Sequence, residues 1–178
     1  MSRTLRTVAL AAAVGSLLAV SPASAASQKT YQAPFKIGPS GGDSWSYHSA
    51  STGGTVTVGR VYPVPGAINC TKGGPWAKLR VSHRATRQVR KVVLSYDQAA
   101  VDNFTFAMLT LRGSGARWFG TKTVRGLVAG SGTITLVPDR QTGRFPQTFT
   151  VEFGLQQSSA CPNADAGTIH FSKVQVFS

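Results

Sequence analysis

Acidic side chains are few in this sequence. Its 178 residues carry six Asp and Glu against 19 Lys and Arg, a formal net charge of +13, and Glu152 is the lone glutamate. So thin a spread of carboxylates excludes a dense acidic calcium loop, and it leaves Asp43 and Asp165 as the conceivable ligands of an isolated structural ion. Cysteine is scarcer still, with Cys70 and Cys161 alone, and the histidines His48, His83 and His170 stand at no ligand spacing around either of them. A phosphate-cradling glycine loop and a Gly-x-Ser-x-Gly nucleophile turn are both missing. Long apolar runs are missing too. The uncharged stretch from Val8 to Val20 is about 13 residues, against the roughly 20 a helix needs to cross a bilayer. These absences imply no metal centre, no cofactor and no membrane span.

What is present begins with a leader. Arg3 and Arg6 precede the apolar run, which ends in Ser21-Pro22-Ala23-Ser24-Ala25-Ala26, and Ala23 and Ala25 are the small residues a signal peptidase accepts. The expectation is a bacterial-type signal peptide over residues 1–25, cleaved after Ala25, and a secreted protein beyond it. In an exported chain an even pair of distant cysteines reads as a disulfide, here Cys70 to Cys161. Closing a loop of roughly 90 residues stabilises a fold by about 4–5 kcal/mol in the chain-entropy model. The two Asn-x-Thr triplets at Asn69 and Asn103 are taken as chance in such a setting.

Beyond the leader the pattern is that of strands. Apolar runs are short, β-branched or aromatic, and punctuated by Gly or Pro, while helical periodicity is scarcely seen. Residues 26–54 form a partly disordered segment holding the first short strands, around Tyr31 to Ile37 and Trp45 to His48; residues 55–178 form the core. Val89 to Tyr96 and Phe104 to Arg112 read as central strands. Thr148 to Leu155 alternates most cleanly, committing Phe149, Val151, Phe153 and Leu155 inward and turning Glu152 to solvent. Ala129-Gly130-Ser131 resembles a hairpin turn. In the last segment Ile169 and Phe171 share one parity and Val174 and Val176 the other, which predicts a bulge near Ser172-Lys173. About ten strands in one domain imply an all-β antiparallel sandwich, jelly-roll-like, and a monomer is expected.

The stretch Gln147-Thr148-Phe149-Thr150-Val151-Glu152-Phe153, a glycine loop, and then Gly167 to Val176 together resemble the closing strands of jelly-roll carbohydrate-binding modules and galactose-binding-like domains. The resemblance implies the sandwich fold and a polysaccharide partner. It covers about 30 residues. An acidic pair common in such modules before the final valines is here Ser172-Lys173, so no binding residue carries over at that place.

Charge of this sign favours polyanions. Anionic or neutral extracellular polysaccharide, or a cell-wall polymer, is the expected partner, rather than any specific nucleic acid. The densest basic stretch holds Lys78, Arg80, Arg84, Arg87, Arg90 and Lys91, with Trp76 before it. Placed on a hairpin around Thr86, it serves either as a polymer contact or as an edge whose charges discourage aggregation. Trp45, Trp76 and Trp118 sit among Gly, Ser and Pro, where they either stack on a ligand or plug the core. An enzyme would draw on Glu152 and His170 as an acid/base pair in a polysaccharide lyase or hydrolase. A third reading is a structural or inhibitory protein that presents Tyr62-Pro63-Val64-Pro65-Gly66 as a rigid loop. The favoured expectation is a non-catalytic binding domain.

Overall fold

A computed structural model describes residues 27–42, 46–60, 74–101, 104–113, 118–125, 127–139, 148–157 and 167–178, with Trp118 described through its backbone. The strands are β1 Gln28–Gln32, β2 Lys36–Gly41, β3 Ser46–Ala50, β4 Thr55–Arg60, β5 Trp76–Arg84, β6 Lys91–Ala100, β7 Thr105–Gly113, β8 Trp118–Arg125, β9 Gly130–Leu136, β10 Thr148–Gln157 and β11 Gly167–Phe177. No helix occurs among the described residues. All pairings are antiparallel, in two sheets: a six-stranded one of order β3-β4-β11-β6-β9 with β1 also on β11, and a five-stranded one of order β2-β5-β10-β7-β8. The expected leader over residues 1–25, Asp43, Trp45, residues 62–66, Cys70, Cys161 and Asp165 lie outside the described residues.

Among the described residues there are eleven strands, against an expected ten or so, and proline accounts for the added one. Pro34 has no amide to give a ladder, so the expected first strand divides around it, Tyr31 on β1 and Ile37 on β2. Phe35 between them drops into the core, 2% exposed. The described residues before residue 55 contribute β1 and β3 to one sheet and β2 to the other.

The core lies where alternation places it. Phe149, Val151, Phe153 and Leu155 of β10 are fully buried, as are Ile169, Phe171, Val174 and Val176 of β11. Aromatic rings knit the layers together. Phe153 of the five-stranded sheet meets Phe171 of the six-stranded sheet edge to face, centroids 5.2 Å apart, and Phe35 meets Phe153 in the same manner at 5.1 Å. The expected bulge is found as a register shift of β11 against β6 between Phe171 and Lys173, which carries the inward parity from Phe171 to Val174. The chain ends of the sandwich clasp one another: Ser27 and Ser178 exchange both backbone hydrogen bonds at 2.9 Å, and their hydroxyls meet at 3.1 Å.

Two expected hairpins are instead crossings between sheets. β5 and β6 belong to different layers, and so do β8 and β9. The first crossing is an arch whose Ala85 and Val89 turn inward, each 3% exposed, so it is anchored by burial rather than by a two-residue turn. In the second, Gly130 takes the expected positive φ of 94°, but half-buried Leu127 packs on the core and leads the chain across.

Candidate functional site

Strand β5 divides its side chains cleanly. Ala77, Leu79, Val81 and His83 face inward, while Trp76, Lys78, Arg80, Ser82 and Arg84 stand on the outer face of the five-stranded sheet. At the rise of an extended chain, that outer file is roughly 27 Å long. Register then assigns its neighbours, because paired residues share a face. One row across the sheet runs Trp76, Gln156, Phe106, Arg125; the next Lys78, Gly154, Met108, Thr123; the next Lys36, Arg80, Glu152, Thr110, Thr121; and a fourth Ser82, Thr150, Arg112 and the backbone position of Trp118. The face so assembled holds Lys36, Lys78, Arg80, Arg84, Arg112 and Arg125, and its one acid among the described residues is Glu152.

Glu152 corrects an expectation. It does stand on the outward parity, yet it is 7% exposed rather than open to solvent. It occupies the middle strand of the sheet, and the long cations on the two flanking strands fold over it. Its Oε2 lies 3.3 Å from Arg112 Nε and 3.7 Å from Lys78 Nζ. One carboxylate thus holds two cations down against the sheet. Lys78 Nζ also sits over the Trp76 ring, 5.2 Å from its centroid, and the Arg125 guanidinium sits over Phe106 at 5.4 Å. Cations in such positions keep their charge at the surface while their stems cover aromatic carbon. Thr110 and Thr121 link hydroxyls at 3.2 Å on the same face.

The expected basic stretch is therefore split. Trp76, Lys78, Arg80 and Arg84 share the outer face, whereas Arg87 and Arg90 are exposed on the arch between the sheets. The Arg90 amide donates to the Phe177 carbonyl at 2.7 Å, and Lys91 lies over the Phe177 ring at 4.3 Å, which ties that end of the stretch to the six-stranded sheet. Lys36, Arg112 and Arg125 take their place on the face and were not singled out in the sequence. Their outward parity was readable; which strands lie side by side was not.

His170 lies on the other side of the molecule. With Ile169 and Phe171 inward, it stands on the outer face of the six-stranded sheet, so it and Glu152 occupy opposite faces and form no acid/base pair. Its ring is already engaged: Nδ1 is 2.6 Å from Asp97 Oδ1 and Nε2 is 3.0 Å from the Gly53 carbonyl. A bulge in β6, where Gln98 takes φ 50°, sets Asp97 toward it. Trp45 lies outside the described residues, and Trp118 opens β8. Among the described residues no three His, Cys, Asp or Glu side chains gather as a metal site would require.

His83 is the least ordinary of the three histidines. It occupies an inward position of β5, 3% exposed, and shares a 2.7 Å hydrogen bond through Nδ1 with Tyr31 Oη of the opposite sheet. Burial, and secondly the charge of Lys29, hold its basicity below the usual histidine value.

No family model matches the sequence, and no curated protein matches it. Among solved structures the chain is similar to a low-affinity xylan-binding module, CBM86, from Roseburia intestinalis, at 15% identity over 84% of this chain and 94% of that one, TM-score 0.49. It is similar to the CBM36-1 domain of a multidomain xylanase from the hindgut metagenome of Trinervitermes trinervoides, at 13% identity over 84% and 96%, TM-score 0.43. A third similar structure is the mannan-recognising module TmCBM27, at 14% identity over 84% and 85%, TM-score 0.38. The chain is thus similar in structure to carbohydrate-binding modules, which are jelly-roll domains.

Proposed function

We propose that this chain is a secreted, non-catalytic binding domain that holds an anionic extracellular or cell-surface polymer, an acidic polysaccharide or wall polymer, along the outer face of its five-stranded sheet. The observation that carries the reading is the in-register array of six bases around one acid on that face. Same-face residues along a strand repeat at about 7 Å and neighbouring strands at about 4.8 Å, so a flexible charged chain finds cations in two directions without any deep pocket. Arg80 and Arg84 point outward from β5 and are exposed, ready to meet phosphate, sulfate or carboxylate. Trp76 and Phe106, each half-buried, add aromatic surface at one end of the array. The leader and the cysteine pair support an extracellular setting. The lyase or hydrolase reading loses its pair of groups, because Glu152 is held by two cations and His170 stands on the far sheet.

The test is a binding panel of a polyuronate, a sulfated glycan, a teichoic-type polymer, xylan and mannan, each at several salt concentrations. Binding to the anionic members is expected to fall steeply with salt, since each neutralised charge releases a counterion. The double substitution Arg80→Glu, Arg84→Glu should weaken it by about tenfold or more, in line with two lost charge contacts. Equal binding of xylan or mannan, indifferent to salt and to the double substitution, would overturn the anionic assignment.

A further inference from the structure

Strand β1 is one of the single-ladder strands at the margins of the sandwich. It pairs only with β11, Gln28 to Gln32 against Lys173 to Phe177, and four of its five side chains are exposed. Tyr31 is the half-buried exception, and its hydroxyl spans the gap between layers to His83 Nδ1. The two rings meet edge to face, 5.9 Å between centroids. His83 Nε2 is buried and has no hydrogen-bond partner among the described residues. The groups that face this imidazole are Tyr31 and Lys29 from β1, and across β10 it is paired with Phe149, which carries no charge. No acidic side chain among the described residues is bonded to it.

Such a ring can be neutral where it is, but a second proton would make it a buried cation, with its Nε2–H unanswered and Lys29 repelling it. Water would answer that proton only if its cover moved. The cover is β1, which buries little apolar surface of its own and forms one ladder. Segments of that kind open at far lower free energy than the body of a sheet.

We propose that Tyr31 and His83 form an acid-released latch on β1: protonation of His83 in mildly acidic surroundings unseats Tyr31 and frees β1 from β11, baring the ladder edge from Lys173 to Phe177. The direction of the His83 titration agrees, since a buried base resists its proton until the structure around it yields. The bared edge is a row of backbone donors and acceptors over the buried side chains of Val174 and Val176, which is what an added strand from another chain requires.

Amide hydrogen exchange on the purified chain, corrected for the intrinsic effect of pH, tests the latch. Between pH 7.5 and pH 5, protection of β1 amides and of their β11 partners should fall by up to about tenfold for each pH unit below the free histidine value of about 6.5, and these amides should exchange well ahead of those of β7 and β10, which open only with the whole fold. His83→Gln retains a polar partner for Tyr31 without a titration and should abolish the pH dependence. Tyr31→Phe should loosen β1 at both pH values. Exchange of β1 no faster than that of β7 and β10 at pH 5, an unchanged β1, or a pH response that survives in His83→Gln would each overturn the proposal. None of these outcomes depends on polymer binding.

Discussion

Glu152 Oε2 and Arg112 Nε lie 3.3 Å apart on neighbouring strands in the middle of the five-stranded sheet, with the carboxylate side chain 9% exposed and the arginine 30%. The geometry makes Glu152 a restraint on the cationic face rather than a reagent.

Replacing Glu152 by Gln should therefore act in two directions. Stability should fall by roughly 1–3 kcal/mol, because Lys78 and Arg112 lose their shared counter-charge while one of them stays largely covered. Affinity for an anionic polymer should rise, because two cations no longer spend their charge within the protein. Urea unfolding and the binding panel measure the two effects separately. A variant that loses binding in proportion to stability would contradict this account of the residue.

Gly154 sits directly beneath Lys78 in the register, and a side chain there has nowhere to go. A Cβ would stand 2.0 Å from the Ala77 carbonyl oxygen and 2.7 Å from Lys78 Cα, both backbone atoms of the adjacent strand. Gly154→Ala should cost about 1–3 kcal/mol through forced backbone displacement, and should also disturb the Lys78 and Trp76 end of the array. Chemical denaturation gives the first effect; the intrinsic fluorescence of the tryptophans gives the second. An alanine variant as stable as the parent would remove the close approach from consideration.

Stability should decline on both flanks of neutrality, and the signs follow from Tyr31 and His83. The folded His83 resists a proton that the unfolded chain accepts near the ordinary value of about 6.5, so the unfolded state binds more protons below that pH and stability falls as the pH drops. Burial raises Tyr31 above its usual value, so above about pH 10 the unfolded chain has released a proton the folded one keeps, and stability falls as the pH rises. Thermal midpoints from pH 5 to 11, with His83→Gln flattening the acid flank and Tyr31→Phe the alkaline one, provide the check. Unaltered flanks in those variants would assign the effect elsewhere.

Much of the sandwich was legible from parity alone. Phe149 to Leu155 and Ile169 to Val176 show their inward positions letter by letter, because a sheet with one buried face imposes a period of two that few other structures mimic. The change of phase at Ser172-Lys173 was readable for the same reason. What parity does not encode is adjacency. A glycine such as Gly130 serves a hairpin and an arch equally well, so the crossings after β5 and β8 looked like hairpins, and the basic stretch from Lys78 to Lys91 looked like one surface. Glu152 was misplaced by the same gap, since its cover comes from Lys78 and Arg112, 74 and 40 positions away in the chain. His83 hid in a polar sequence context although its parity with Leu79 and Val81 already pointed it inward.

The clasp between Ser27 and Ser178 also determines how the domain presents itself. Ser27 and Ser178 lie side by side at the end of the β1–β11 ladder, on the six-stranded layer. A probe attached at Ser27 would therefore sit on the layer opposite the cationic face and report on the clasp without covering that face.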